Sequence, residues 1–371
     1  MKIAHLCSYY IGSKVHAMLF EALESSVSNQ AIYVPVRAEN EKQAYKSELL
    51  ESRINYRSII KPYHRYLYKT KIRCFLSDYF ETYRKDEIES IDCFHAHTLF
   101  TDGGLAYELH RLTGKPYVVT VRNTDVNIFL KYAFHLHGYI KKVVDSAAKI
   151  VFVSPAMEEL FFKYFDRKAI NDTCVVPSGI DPFWFLSGNS VKQNTDISPR
   201  ILFVGNINKN KNPLLLAHAF ENVLEKYPAS MIKFVGPQGC QSKKLDELSR
   251  SIDSIEVVGS VRRKHELKKY YQWANIFAMV SHTETFGLVY VEALSQGLPL
   301  VYSKGQGFDG FFPDREVGVS CDSKSISEVS SALIEVFEHG YLQAELISAS
   351  GKFTWDSVSQ KYIDIYMKAV I

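Results

Sequence analysis

The sequence predicts an α/β fold with two doubly wound parallel sheets. Three observations carry this prediction. Short apolar runs alternate with helical patterns along the chain, this alternation stops at a polar segment and then starts again, and 371 residues are enough for two domains with separate cores.

The first half contains six apolar runs that predict strands, at 3–6, 31–34, 93–94, 117–121, 150–153 and 174–176. Helical patterns separate many of them, at 16–26, 104–113 and 138–147. This order is typical of a Rossmann-like domain, which we place at residues 1–185.

The polar, aperiodic residues 187–196 predict a linker between domains, with bounds at 186–199. The alternation then resumes with apolar runs at 201–204, 231–235, 255–257, 276–280, 300–302 and 318–319. We therefore predict a second Rossmann-like domain at 200–352 and a terminal amphipathic helix at 353–371, with Val358, Tyr362, Ile365 and Tyr366 on one face.

Composition excludes several classes of protein. The 44 basic and 41 acidic residues nearly balance, so nucleic-acid binding is not expected. No apolar run approaches the ~18 residues of a membrane span, and we expect a cytoplasmic protein. The six cysteines show no C-x-x-C spacing, which predicts reduced, mostly buried thiols and no structural zinc site.

The most informative motif places Glu284 and Glu292 around the step Phe286-Gly287. An apolar run precedes the motif and helix formers follow it, so the pattern predicts strand, loop and helix, with the helix beginning near Phe286. The backbone N–H groups of Phe286, Gly287 and Leu288 would then stabilise a phosphate at the positive end of the helix. Carboxylates on either side would bind hydroxyls, which is the pattern that a nucleotide-sugar requires.

Two other interpretations of this pair remain open. Glu284 would be a helix-capping acid and Glu292 a solvated helix residue if the segment has no function. Alternatively, the pair would be the carboxylates of a glycosidase, which lie roughly 5 to 9.5 Å apart across one glycosidic bond. The phosphate-binding context between the two residues argues against the glycosidase.

The segment from Glu284 through Phe286-Gly287 to Gly297-Leu298-Pro299 resembles the signature of the retaining glycosyltransferase family 4. The resemblance implies a GT-B fold, in which two Rossmann-like doubly wound domains face each other across a cleft. It also implies that the C-terminal helix crosses back to the N-terminal domain. By the same resemblance, Glu284 contacts the donor sugar and Glu292 contacts the ribose hydroxyls.

Two more loops of the second domain match this family in part. In the run 203–213, Lys211 stands where the family has a diphosphate-binding Lys, but Asn206 replaces the usual Arg. The missing cation leaves Lys209 as a partial substitute. In the run 258–267, the resemblance implies that backbone groups near Val261 bind the base of the nucleotide, with Arg262 over its face.

The first domain supplies three further candidates. Gly12 lies in a loop between the first strand and helix, where it would either form a tight turn or let a diphosphate approach the backbone. His97 resembles a strand-end His that lines the cleft in this family, while His95 is expected to be structural; a metal site would need a third ligand. Arg122 replaces a family His before the matching Asp125, so general-base chemistry does not transfer to it, whereas phosphate binding does.

Residues 53–84 are rich in basic and aromatic side chains. This composition fits contact with an anionic membrane surface or a lipid-linked acceptor. It fits equally well a solvated helix whose apolar side packs on the core.

Together these features predict a metal-independent hexosyltransferase-type enzyme that retains anomeric configuration. It would move a sugar from a nucleoside-diphosphate donor to a glycan or lipid-linked acceptor in polysaccharide or glycolipid biosynthesis, with no cofactor. The catalytic residues would be Lys211, Glu284, Arg122 and His97. Two alternatives are a nucleotide-sugar epimerase of the same fold and a non-catalytic nucleotide-sugar-binding partner subunit, the latter motivated by Arg122 and Asn206.

Overall fold

The computed structural model describes residues 1–24, 26–27, 29–38, 47, 49–170, 172–185 and 197–371. These residues form two compact units. The first comprises Met1–Val153, Met157–Gly179 and Trp355–Ile371, and the second comprises Ser154–Ala156 and Ile180–Thr354. The predicted linker at 186–199 lies almost wholly outside the described residues.

The first unit contains a parallel sheet of seven strands in the order β3-β2-β1-β4-β5-β6-β7. The strands are β1 Lys2–Leu6, β2 Asn29–Val36, β3 Ile54–Ser58, β4 Cys93–Ala96, β5 Tyr117–Val121, β6 Lys149–Phe152 and β7 Thr173–Val175. The order reverses next to β1, as in doubly wound folds.

The second unit contains a parallel sheet of six strands in the order β10-β9-β8-β11-β12-β13. The strands are β8 Arg200–Val204, β9 Met231–Val235, β10 Ile255–Gly259, β11 Ile276–Met279, β12 Leu300–Ser303 and β13 Gly318–Cys321. Each predicted run of this half falls on one of them.

Helices connect the strands in both units. In chain order they are α1 Lys14–Leu23, α2 Tyr68–Thr82, α3 Lys85–Glu89, α4 Thr101–Thr113, α5 His137–Asp145, α6 Pro155–Phe161, α7 Pro213–Lys226, α8 Ser242–Ser251, α9 Lys264–Trp273, α10 Leu288–Ser295, α11 Ile326–His339, α12 Gln343–Ser350 and α13 Trp355–Val370. Local sequence sets several ends: the Ser13 side chain caps α1, and Gly114 ends α4 at φ 71°.

Both faces of the first sheet are buried, which explains why its strands read as nearly continuous apolar runs. Successive side chains point to opposite faces. Ile3 and Val118 accordingly belong to one apolar cluster, while their neighbours Ala4 and Val119 belong to another. The second unit has a single large cluster around its own sheet.

The terminal helix α13 is part of the first unit, as the resemblance implied. Its predicted face is buried in the cluster that includes Phe20 of α1. The Tyr366 hydroxyl lies 2.6 Å from Nδ1 of His95, which joins the helix to β4 by a buried hydrogen bond.

The segment 53–84 contains both a strand and a helix. It begins with strand β3, and only Tyr68–Thr82 is a long helix. Phe75 and Tyr79 of this helix are buried in the core. Its apolar face therefore packs on the core, which was one of the two interpretations of this segment. Within the described residues, no helix is both long and apolar enough to cross a membrane, and all six cysteines are free thiols.

Candidate functional site

The predicted donor-binding residues of the second unit follow strands β8, β10 and β11. In a parallel sheet, the carboxyl ends of all strands lie at one edge, where ligands of open α/β sheets bind. Strands β8 and β11 are hydrogen-bonded neighbours, and β10 lies two strands beyond β8. At ~4.8 Å per strand, the loops after β10 and β11 are separated by roughly 14 Å.

Asn210 fastens the loop after β8 to the loop after β11. Its carbonyl accepts a hydrogen bond from the His282 N–H at 2.8 Å. Its side chain donates to the Thr283 carbonyl at 2.9 Å and accepts from the Thr283 N–H at 3.1 Å. These three bonds fix the position of the residues that follow in each loop.

Lys211 and Glu284 are those following residues, and they form an ion pair through Nζ and Oε2. Their side chains are 23% and 13% exposed, so the pair is largely shielded from water. The Lys211 N–H also donates to the Asn208 side chain at 3.0 Å. Two residues predicted to act on a donor are therefore together in the structure.

The glycine-rich loop after β12 supports Glu284 from the other side. The Glu284 N–H donates to the Gln306 side chain at 3.2 Å, and its carbonyl accepts from the Gly307 N–H at 3.2 Å. A Cβ on Gly307 would lie 2.7 Å from Cγ of Glu284. Only glycine at this position leaves room for the glutamate.

Helix α10 begins at Leu288, two residues later than predicted, because Gly287 adopts a left-handed conformation at φ 84°. A Cβ at Gly287 would lie 2.4 Å from the Tyr290 ring, so sterics as well as φ require glycine. In the described part of the chain, the backbone N–H groups of Gly287 and Leu288 donate no hydrogen bond. They remain at the positive end of α10, available to an anion.

Glu292 lies one turn into α10, where it is partly buried. The Tyr271 hydroxyl of α9 donates to its Oε2 at 3.0 Å. Burial raises the pKa of Glu292 to about 7, and the nearby Asp181 carboxylate adds to the increase, while the Tyr271 hydrogen bond and Lys264 oppose it. Tyr271 was not predicted from the sequence. It lies in α9, and no local sequence pattern links a residue of α9 to Glu292 in α10.

Two further predicted residues of this unit are Asn206 and Val261. The Asn206 side chain is exposed, and its carbonyl accepts a hydrogen bond from the Asn208 N–H at 2.8 Å. Val261 follows β10 and borders a small cavity of about 390 Å³ together with Trp273. Its predicted contact with a base through the backbone stays a prediction.

In the first unit, His97 is fully buried, and its expected place at the cleft stays a prediction. Its Nε2 lies 3.1 Å from Nδ1 of His5, whose Nε2 in turn lies 3.1 Å from the Gln30 side chain. Burial lowers the pKa of His5 to about 3 and that of His97 well below its ordinary value. These imidazoles are therefore neutral over the physiological pH range.

His95 completes a cluster in which ligand atoms of the three histidines lie within 4.8 Å of one another. Both of its ring nitrogens are already hydrogen-bonded, to Tyr366 at 2.6 Å and to Thr120 at 2.8 Å. This agrees with the structural role expected for His95. The cluster is thus held together by protein partners.

Arg122 lies at the end of β5 and is partly buried. Its Nε donates to the His97 carbonyl at 3.3 Å, and one terminal nitrogen lies 3.4 Å from Nδ1 of His16. Asp125 accepts from the Arg122 N–H at 2.9 Å and from the Leu99 N–H at 3.0 Å. Burial raises the pKa of Asp125 to about 6.

Gly12 lies in a short 3₁₀ turn before α1. A Cβ on this residue would meet the Tyr9 ring at 2.7 Å, and the predicted approach of a diphosphate to the Gly12 backbone stays a prediction.

Comparison with known proteins places this architecture in a family. Residues 33–183 match the model described as Glycosyltransferase Family 4, and residues 189–353 match the model described as Glycosyl transferases group 1. The fold resembles that of Anabaena Alr3699/HepE in complex with UDP, with a TM-score of 0.71, 15% identity, and coverage of 98% of this chain and 99% of that one.

Two curated relatives are similar in sequence. D-inositol 3-phosphate glycosyltransferase of Corynebacterium kroppenstedtii is 26% identical over 252 residues, which cover 62% of this chain and 55% of the relative. Alpha-monoglucosyldiacylglycerol synthase of Acholeplasma laidlawii is 26% identical over 262 residues, which cover 64% of each chain. The matched regions thus span between half and two thirds of these relatives.

The fold and the two family models define a two-domain α/β protein of GT-B architecture. The chain belongs to the family 4 glycosyltransferases of this fold.

Proposed function

We propose that this protein transfers a hexose from a nucleoside-diphosphate donor to an acceptor hydroxyl, with retention of the anomeric configuration. The acceptor is a glycan or a lipid-linked molecule of polysaccharide or glycolipid biosynthesis. The bond between the anomeric carbon and the diphosphate oxygen breaks, and a bond from the acceptor oxygen to the same carbon forms. The acceptor proton passes to the departing diphosphate.

The observation that carries this proposal is the arrangement at the start of α10. The Lys211–Glu284 ion pair lies in two loops that Asn210 fastens together. The unused N–H groups of Gly287 and Leu288 follow Glu284 in the chain, and Glu292 lies one turn further on. A diphosphate at the helix terminus would have a cation on one side and hydroxyl-binding carboxylates before and after it.

Catalysis in this scheme is mainly electrostatic. Negative charge grows on the diphosphate as the sugar departs, and a fixed ammonium group and helix terminus stabilise it in a site shielded from water. Lys211 supplies the ammonium, and Glu284 holds it in place until the donor binds. This role needs no metal ion, so removing divalent cations with EDTA is expected to leave turnover unchanged.

The relatives support the substrate class in general terms. The Anabaena protein was solved with UDP, and the two curated relatives are named for transfer to an inositol phosphate and for synthesis of a glucosylated diacylglycerol. A nucleoside-diphosphate sugar as donor fits these relatives and the proposed reaction.

Donor binding is tested by thermal shift with a panel of nucleoside diphosphates and their sugars, because a ligand that binds the folded state raises the unfolding temperature. One nucleotide family is expected to stabilise the wild type. Glu292→Ala is expected to lose this stabilisation, while Glu247→Ala, at an exposed position on α8, retains it. Equal shifts in both variants would remove Glu292 from the donor site.

Turnover is tested with Lys211→Gln. Loss of a fixed charge that stabilises the leaving group is expected to lower kcat by roughly 100-fold or more, with a smaller change in donor binding. Lys226→Gln is the matched control, since Lys226 forms an exposed ion pair with Glu338 in the same unit. A product with inverted configuration, an epimerised donor formed without acceptor, or donor binding without turnover would each overturn the proposed reaction.

A further inference from the structure

The first unit contains a cavity of about 1030 Å³ that none of the predicted catalytic or donor-binding residues lines. Its lining comes from the segment before α2, from α2 itself, from the start of α4 and from the residues before α5. The volume matches the upper end of pockets that hold small-molecule ligands.

The cavity is strongly basic. Four of its lining residues carry a permanent positive charge: Arg37, Lys61, Arg65 and Lys71. Among the described residues, the lining contains no Asp or Glu. Within the same part of the chain, Lys61, Arg65 and Lys71 form no ion pair with a carboxylate. An anion in the cavity would therefore meet several cations that form no ion pair with a described carboxylate.

His64 provides a second and independent sign of a ligand. It lines the cavity, is only 4% exposed, and its Nε2 has no hydrogen-bond partner in the described residues. The Lys61 N–H donates to its Nδ1 at 3.2 Å. A neutral imidazole that accepts at Nδ1 carries its proton on Nε2, so His64 has a buried N–H donor left to satisfy.

Lys71 lies deeper in the lining, and its Nζ donates to the Thr101 hydroxyl at 2.7 Å. Burial lowers the pKa of Lys71, and Arg37 lowers it further, whereas Asp102 opposes the shift. Two of the three ammonium N–H groups remain for a ligand. A partly buried ammonium and a buried imidazole N–H are a pair of donors suited to phosphate oxygens.

Aromatic side chains line the rest of the cavity and its entrance. Tyr66 and Phe129 both line it and are 76% and 42% exposed. The Phe129 ring packs on Phe100, another lining residue, at a centroid distance of 5.0 Å. The ligand would thus have an apolar or ring-shaped part next to its charged group.

We propose that this cavity binds the acceptor substrate through a phosphate or diphosphate group, with an adjoining apolar or sugar portion against the aromatic side chains. The proposal rests on the proposed transferase function and specifies its acceptor class. Lys71, His64 and Arg65 are the residues that contact the phosphate. A lipid headgroup and a soluble sugar phosphate both carry this phosphate chemistry.

The test measures binding of farnesyl diphosphate, farnesol and inorganic pyrophosphate to the full chain by titration calorimetry without any donor. Farnesyl diphosphate is expected to bind wild type more tightly than farnesol. Lys71→Gln and Arg65→Gln are each expected to weaken this binding by roughly 10- to 100-fold, the usual effect of losing a hydrogen bond to a charged group. Arg65 is exposed, so its variant remains informative if Lys71→Gln fails to fold.

Lys69→Gln and Arg73→Gln are matched controls, because both residues are exposed on α2 and neither lines the cavity. Equal affinity for farnesyl diphosphate and farnesol, or equal weakening by the controls, would overturn the proposal. Binding of pyrophosphate as tight as that of farnesyl diphosphate indicates a soluble phosphate acceptor, and binding of farnesyl diphosphate without binding of pyrophosphate indicates a lipid headgroup; both support a phosphate site.

The donor thermal shift is run in parallel on the same variants. If no donor shifts the unfolding temperature of the wild type, the proposed transferase function fails, whereas the proposal of a phosphate site in the cavity is unaffected. Intact donor binding together with no preference for a phosphorylated probe would defeat the cavity proposal alone.

Discussion

Replacing Glu292 with Gln is expected to stabilise the empty protein at neutral and alkaline pH while weakening donor binding. The carboxyl has a raised pKa, from 4.5 in the unperturbed group to about 7, mainly because it is buried. A carboxyl with a raised pKa binds its proton more tightly in the folded state than in the unfolded chain. Folding stability is therefore lost as the pH rises from about 4.5 to 7, because in this range the carboxyl ionises in the unfolded chain but stays protonated in the folded state.

The size of the effect follows from the shift. At ~1.4 kcal/mol per pKa unit, the difference corresponds to about 3 kcal/mol at most, and we discount it to about 2 kcal/mol because the residue is only partly buried. The amide of Gln can still accept the hydrogen bond from Tyr271 but carries no charge. In a unit of this size, about 2 kcal/mol corresponds to roughly 4 to 8 °C in the unfolding temperature.

The assay is thermal and urea unfolding of wild type and Glu292→Gln from pH 4.5 to pH 8.5. The variant is expected to match the wild type near pH 4.5 and to be more stable above pH 7. Glu247→Gln, at an exposed position, should track the wild type throughout. A constant difference between Glu292→Gln and wild type across this range, or a less stable variant at pH 8.5, would refute the reasoning.

Three further substitutions test the supports of the two units. Gly287→Ala should destabilise the second unit by about 1 to 3 kcal/mol, since φ is 84° and the new Cβ lies 2.4 Å from a ring atom; urea unfolding measures this. Tyr366→Phe removes the buried hydrogen bond to His95 and should cost about 1 kcal/mol by the same method, with hydrogen exchange increasing in α13. Asn210→Ala removes two side-chain bonds to Thr283 and should lower turnover more than stability, measured by kcat and unfolding temperature.

The sequence predicted most of the parallel strands, because buried strands appear as short apolar runs whatever lies between them. It missed β3, although Ile54 and Tyr56 alternate there with Asn55 and Arg57. The basic and aromatic composition of the longer segment concealed this period of two. Local pattern and regional composition pointed to different structures, and the local pattern was the correct guide.

The burial of a side chain was harder to predict than the side of the strand on which it lies. Because side chains alternate along a strand, His95 and His97 are expected on one side of the chain, and the structure joins both to the same cluster. Whether that side is open depends on Phe20 and α13, which pack there from distant parts of the sequence. The basic cavity was also beyond prediction, because its lining is assembled from four separate segments.

The two glutamates of the motif have the same side chain but different surroundings, and this difference separates their proposed roles. Glu284 is paired with Lys211, so its charge is already compensated before any ligand arrives. Glu292 accepts its hydrogen bond from Tyr271, a neutral hydroxyl rather than a cation, and burial disfavours the charge of the Glu292 carboxylate. Hydroxyl groups of a bound ligand would supply the hydrogen bonds that stabilise the ionised form, so binding should lower the pKa of Glu292 and release a proton at neutral pH. In the proposed function, Glu284 would position a cation, whereas Glu292 would be the carboxylate whose ionisation the ligand completes.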